Sequence, residues 1–413
     1  MRASTSVAPS LLLVAVLLTA PAAADIKIAF IDPLSGGGAA TGILAQKTHQ
    51  FYIDAINAAG GVNGEKIELL SFDNKVNPQE SLIQLKKALD DGARYVVQGN
   101  GSSIAHAITE AVLKHNERNP GKEVLYLNYA AVDPALTNEK CNFWHFRFDA
   151  DADMKMAAMT DVIAKDSKIK KVYLINQDYS FGKAVAAAAN RMLAEKRPDI
   201  KIVGDEMIPL MQVKDFSPYI TKIKASGADS LLTGNYGPDL ALLIKAGVDA
   251  GLNIRYDSYL GHVIGAPTAI GAAGDGRLTS VMEIHDNISV EENNAAQEEF
   301  VKQWRATHDF GFIAINSVTQ FDMLVRAIEK AGSTDPLKVA LALEGMEQKD
   351  MFGAVNIMRK DDHQLLNPYY EAVLTKGQKY DVEKTGMGWK TEFKTTVADE
   401  TLPTTCKMKR PES

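Results

Sequence analysis

The chain has 413 residues, 45 basic against 52 acidic, a formal net charge of −7 and 46% hydrophobic residues. Acidity spread along the whole chain argues against a nucleic-acid partner and against an anionic membrane surface. The length predicts two domains of about 100–200 residues each rather than one core.

Residues 1–24 read as a secretory signal peptide. Arg2 supplies the positive start, Leu11–Leu18 (LLLVAVLL) the apolar core, and Ala22-Ala23-Ala24 a small-residue cleavage site before Asp25. The apolar run falls short of the ~20 residues that a membrane-spanning helix needs. The processed chain is expected to be exported and soluble.

From there strands and helices alternate. Ile26–Ile31 (IKIAFI) predicts a buried strand, and Thr41–Ala59 an amphipathic helix that stops at Gly60-Gly61. Lys66–Phe72, Tyr95–Gln98 and Val124–Asn128 predict strands, with helices at Pro78–Leu89 and Ser103–His115 between them. The theme restarts after Phe148. Helices are expected at Asp153–Lys165, Lys183–Glu195, Phe216–Ser226 and Pro238–Gly251. Strands are expected at Val172–Asn176, Lys201–Met207, Ser230–Thr233 and Tyr256–Leu260. Such alternation is the signature of parallel sheets covered on both faces. Later, Leu278–Glu283 looks extended, and Ala295–His308, Ala314–Ala331 and Pro336–Glu344 look helical. Strands near Val355 and at Tyr369–Leu374 follow, and the polar tail from Lys376 carries no clear pattern.

Two cysteines, Cys141 and Cys406, stand alone in the exported part. In an oxidising compartment such a pair invites a disulfide that ties the tail to the middle of the chain; two unpaired thiols are the alternative. Two isolated cysteines do not suggest a zinc site.

The segment YVVQGNGSSIAHA (95–107) runs from a strand through glycines into a helix. It nearly forms a dinucleotide loop, but Ile104 stands where the third glycine belongs. A nucleophile elbow needs a glycine two residues beyond its serine, which neither Ser102 nor Ser103 has. What remains is a helix start with free N–H groups and hydroxyls, suited to a carboxylate; a plain N-cap is the alternative. The eight histidines form no H-x-x-x-H or H-E-x-x-H pair. Asp149, Asp151 and Asp153 resemble a calcium loop in spacing but lack its glycine and closing glutamate, so a helix start suits them better. No metal or cofactor is expected.

Several stretches, taken in order, resemble solute-binding proteins of the branched-chain amino acid type. They are Ile28–Gly36 (IAFIDPLSG), Asn57–Gly64 (NAAGGVNG), Phe72-Asp73-Asn74, Pro134–Thr137, Arg147, Phe181-Gly182, Asp215-Phe216 and Ala246–Leu252 (AGVDAGL). The resemblance implies a type I periplasmic binding protein: two Rossmann-like α/β lobes, parallel sheets flanked by helices, and a three-strand hinge. It implies lobe one at 25–147 plus 284–350, and lobe two at 148–283 plus 351–413. A monomer in the periplasm would close over a small ligand and deliver it to ABC permease subunits of the inner membrane, with no enzymatic activity.

Residue by residue, the resemblance puts Ser103, with Ser102 beside it, and the Ala131 amide of Tyr129-Ala130-Ala131 on the ligand's carboxylate. Phe181 and Tyr236 become aromatic walls in lobe two. Amino-acid binders of this family place an acid near Leu260–Gly265, where this chain has His262 and Val263. A buried ammonium without a counter-charge costs several kcal/mol. The expected ligand is therefore an aromatic acid of the benzoate or hydroxycinnamate kind, with a branched-chain amino acid or amide as the alternative.

Overall fold

β1 (Ile26–Asp32) is buried over nearly its whole length, as a strand inside a two-sided parallel sheet must be. In this computed structural model the described residues are 26–308, 311–312, 315–350, 352–399 and 401–411; the expected signal peptide lies outside them. β1 is flanked by β2 (Ile67–Asp73) and β3 (Tyr95–Gln98); β4 (Leu125–Asn128) and β5 (His145–Arg147) follow. The order is β2-β1-β3-β4-β5, with every pair parallel. Helices Ala39–Ala58, Pro78–Asp90 and Ser102–Arg118 carry the crossovers. Local signals set their starts: the Asn77 side chain accepts from the N–H groups of Gln79 and Glu80 at 2.8 and 3.0 Å, ahead of Pro78.

The second sheet repeats this plan. β6 (Lys171–Gln177), β7 (Lys201–Ile208), β8 (Ser230–Thr233), β9 (Arg255–Ser258) and β10 (Leu278–Met282) lie side by side as β7-β6-β8-β9-β10, all parallel. A small antiparallel sheet follows, made of β11 (Glu347–Lys349), β12 (Val355–Met358) and β13 (Leu365–Leu366). β14 (Tyr370–Lys376) and β15 (Met387–Lys394) then extend the second sheet beyond β10, both antiparallel to their neighbours. β15 falls where the sequence carries no clear pattern.

The first core gathers side chains from Ile26 to Phe148 and again from Phe321 to Leu365. Two further clusters cover the faces of the second sheet. The stretch 284–350, expected as a block in lobe one, divides: Ile284, Ile288, Trp304, Phe312 and Val318 pack with the second core, and Phe321 onward with the first. The tail also divides. Val397 and Leu402 rest on the second lobe, whereas Met408 packs on the first and Cys406 is disulfide-bonded to Cys141, Cα–Cα 5.7 Å.

Candidate functional site

In an open α/β sheet the ligand crevice forms where neighbouring strands send their connections to opposite faces. Here that is between β1 and β3 in one sheet and between β6 and β8 in the other. The two crevices face each other across a cleft holding about 1010 Å³ of empty space, its mouth included. Lobe one lines it with Asn100, Gly101 and Ser102 after β3 and with Tyr129–Val132 after β4. Lobe two adds Tyr179 and Phe181 after β6, Tyr236 after β8, and Tyr259, Leu260, His262 and Val263 after β9. Asp149, Lys155, Glu283 and Asn316 close the hinge end.

Loop 99–102 owes its shape to its glycines. Gly101 caps helix Ser102–Arg118 at φ +100°, a region that L side chains avoid. A Cβ on Gly99 would sit 2.7 Å from the Tyr129 ring. Asp32, at the end of β1, accepts from the N–H groups of Gly99 and Asn100 at 3.3 and 3.0 Å and from the Tyr129 hydroxyl at 2.5 Å. Complete burial lifts its pKa to about 6, although those bonds pull the other way. With the backbone so held, Ser102 and Ser103 begin the helix, and first-turn N–H groups have no acceptor inside a helix.

The structure separates the expected site residues. Ser102, Tyr129, Ala130, Ala131, Phe181, Tyr236, His262 and Val263 line the cleft. The Ser103 hydroxyl does not: it meets Ser180 of the opposite lobe at 3.5 Å, part of the contact between lobes. The Ala131 amide lines the cleft but donates to Asn128 Oδ1 at 2.7 Å, so that donor is already spent. The Tyr129 hydroxyl is likewise spent on Asp32. His262 accepts or donates through Nδ1 to Ser280 at 2.8 Å, and burial lowers its pKa to about 4, so the ring is neutral. The Tyr236 hydroxyl is buried next to Tyr179 and closes no hydrogen bond among the described residues.

Sequence reasoning missed Lys155 at the hinge end. The stretch Leu260–Gly265 carries no acid, but the cleft itself does: Asp149 and Glu283 both line it, each bonded to Lys155. Asp149 was visible as the first of the acidic trio. Its two companions do other work: Asp151 caps helix Ala152–Lys165 through the Met154 N–H at 2.8 Å, and Asp153 pairs with Arg191 at 2.9 Å. Among the described residues neither Ser102 nor Ser103 hydrogen-bonds a histidine, and no group of three or more metal-binding side chains occurs.

Comparison with known proteins agrees with this architecture. Residues 25–379 match the family described as periplasmic binding protein. Leu/Ile/Val-binding protein homolog 4 of Brucella abortus (strain 2308) is 34% identical over 401 residues, covering 94% of both chains. The closed-conformation crystal structure of the leucine-, isoleucine-, valine-, threonine-, and alanine-binding protein from Brucella ovis superposes with TM-score 0.82 at 32% identity, covering 94% of this chain and all of that one. A solute-binding protein of an ABC transporter from Rhodopseudomonas palustris BisB5, in complex with 3,4-dihydroxybenzoic acid, shares the fold at TM-score 0.75 and 20% identity, covering 90% of this chain and 98% of that one.

Proposed function

The chain belongs to the periplasmic binding protein family, and from that premise we propose that it captures a small organic carboxylate with an apolar or aromatic body. Members of the family bind small molecules and work with ABC transporter permeases. The observation that carries the proposal is the first turn of helix Ser102–Arg118, which opens into a cleft walled by Tyr129, Tyr179, Phe181, Tyr236 and Tyr259. A carboxylate on the N–H groups of Ser102 and Ser103 gains their hydrogen bonds and the positive end of the helix dipole. An apolar body then replaces water against the rings.

Two ligand kinds fit this description. The bound dihydroxybenzoic acid of the Rhodopseudomonas protein favours an aromatic acid such as a benzoate or hydroxycinnamate. The names of the Brucella relatives, together with the carboxylates in the cleft, favour an apolar amino acid. In either case the loaded monomer docks on an inner-membrane permease, after signal-peptide cleavage near Ala24.

A thermal-shift panel of benzoate, coumarate, leucine and valine tests the proposal. A ligand present at a hundred times its Kd stabilises the fold by about 2.7 kcal/mol. One of these acids is expected to stand out; a panel in which no carboxylate stabilises the protein sinks the reading.

A further inference from the structure

Core packing marks where the chain passes between the lobes. Phe148 lies in the core of lobe one and Ala150 in that of lobe two. Val318 and Phe321 bracket the next passage, and Leu365 and Leu366 the third. These are the three connections that the resemblance implies. The tail makes a fourth. Val397 and Leu402 rest on lobe two, and Met408 packs on lobe one. Residues 401–411 form neither helix nor strand.

The fourth passage is fastened at both ends. On the lobe-two side, the Thr395 N–H donates to the Tyr369 carbonyl at 2.8 Å, and Val397 and Leu402 join the apolar cluster that holds Tyr369. On the lobe-one side, Thr404 Oγ1 donates to the Thr137 carbonyl at 3.1 Å, and the Thr405 N–H to Asn138 Oδ1 at 2.9 Å. Cys406 is bonded to Cys141, and beyond it Arg410 pairs with Glu344 and donates to the Lys360 carbonyl at 3.0 Å. Only Pro403, Thr404 and Thr405 separate Leu402 from Cys406. Even fully extended, that length reaches about 14 Å, and the ring of Pro403 fixes one of its torsions.

This strap lies against the hinge itself. Thr137 accepts from Thr404 on its carbonyl and from Arg147 on its hydroxyl. Arg147 Nε donates to Gln364 Oε1 at 2.6 Å, and Gln364 Nε2 to the Asp149 carbonyl at 2.7 Å. Arg359, just ahead of the third passage, donates to the Leu402 carbonyl at 2.7 Å. The first passage, the third and the tail thus share one connected set of hydrogen bonds. All of them are made while the lobes touch, with the Ser103 and Ser180 hydroxyls 3.5 Å apart. Rotation of the lobes about the hinge displaces the seat of Leu402 on lobe two relative to Cys141, and only the three residues between can extend to follow.

We propose that residues 402–406, locked by the Cys141–Cys406 bond, are a fourth hinge connection that limits how far the ligand-free lobes open. The inference goes beyond the carboxylate reading and does not depend on which molecule binds. A limited opening keeps more of the population near the closed arrangement, and affinity scales with the binding-competent fraction. The strap thereby supports binding without touching the ligand.

Small-angle X-ray scattering of the ligand-free protein tests the strap, with two variants beside the wild-type chain. Replacing Cys141 and Cys406 by serine releases its end. A flexible glycine-serine insertion after Pro403 lengthens it and keeps the disulfide with its stabilising effect. Both variants are expected to shift the radius of gyration and the maximum dimension to larger values, while the circular dichroism stays that of the wild type. An insertion variant as compact as the wild type overturns the proposal, even where the serine variant expands, since that expansion would follow from lost stability. If the serine variant does not fold, the insertion variant decides alone.

Discussion

The two lobes build one loop twice and use it for opposite chemistry. Phe30 pairs with Val97 in the first sheet and Leu174 with Leu232 in the second. That register makes Asp32 the counterpart of Asn176, and Gly99-Asn100 the counterpart of Gly234-Asn235. In each lobe a side chain at or one residue before the end of the first strand accepts from the glycine N–H, at 3.3 Å from Gly99 and 2.7 Å from Gly234. Neither glycine has room for a Cβ, which would lie 2.7 Å from Tyr129 in one lobe and 2.8 Å from Val185 in the other. Beyond this point the loops part. Lobe one continues Gly101-Ser102-Ser103 and leaves free N–H groups at a helix start. Lobe two continues Tyr236-Gly237-Pro238, placing a ring in the cleft and starting its helix on a residue with no N–H. The same scaffold gives a donor pocket on one side and an apolar wall on the other, decided by three residues.

The tail bears on the comparison first, because it is fixed to both lobes. Leu402 packs on lobe two, and Thr404 Oγ1 donates to the Thr137 carbonyl of lobe one at 3.1 Å, two residues before the Cys141–Cys406 bond. Replacing both cysteines by serine is expected to lower stability by about 2–4 kcal/mol in denaturant titration.

The contrast between Asp32 and Asn176 predicts a pH effect nearly as large. Burial raises the Asp32 pKa from 3.8 to about 6. The folded state thus holds this proton more tightly than the unfolded chain. The associated stability is full below about pH 4 and is lost as pH rises through 6, by about 3 kcal/mol. Asp32→Asn, which copies lobe two, should flatten the fall measured between pH 4 and pH 7.

Ser102→Pro gives lobe one the helix start of lobe two. It removes an N–H and a hydroxyl from the cleft at a position where proline is tolerated. Ligand affinity should fall by about 1.5–3 kcal/mol in calorimetry, the usual loss for hydrogen bonds to a charged group. Unliganded stability should change by about 1 kcal/mol or less, the weak 3.3 Å bond from the Asp133 N–H to Ser102 Oγ being the main loss. The smallest effect is expected in lobe two. Tyr236→Phe deletes a buried hydroxyl that closes no bond, so stability should hold or rise by up to about 1 kcal/mol, with the wall intact. A sharp loss of affinity in Tyr236→Phe would instead make lobe two a hydrogen-bonding partner of the ligand.

Much of this was legible in the sequence because it is local. β1 and β3 appear as apolar runs, and the turn after β3 is announced by its glycines. Phe181, Tyr236 and His262, which the family resemblance implies for the second lobe, line the cleft just after its strands. The Ser103 hydroxyl points away from the cleft because Gly101, not Ser102, is the cap: the helix begins one residue early and turns that hydroxyl toward Ser180. The Ala131 amide was misjudged because the Asn128 side chain takes it. The hinge charges stayed hidden for a different reason. Lys155 and Glu283 are 128 residues apart, and no local pattern marks them as partners until the chain has crossed between the lobes. β15 was missed because it is an edge strand that is buried at its start and alternates at its far end, paired antiparallel at the rim of a mostly parallel sheet.

A crystal structure of the protein with the ligand that co-purifies from its exported form tests the central claim most directly. It should show a carboxylate within hydrogen-bond distance of the Ser102 and Ser103 N–H groups, with the ligand's body against Tyr236 and Phe181. A ligand that turns its carboxylate toward lobe two, or that leaves the first turn of helix Ser102–Arg118 to water, would contradict the account.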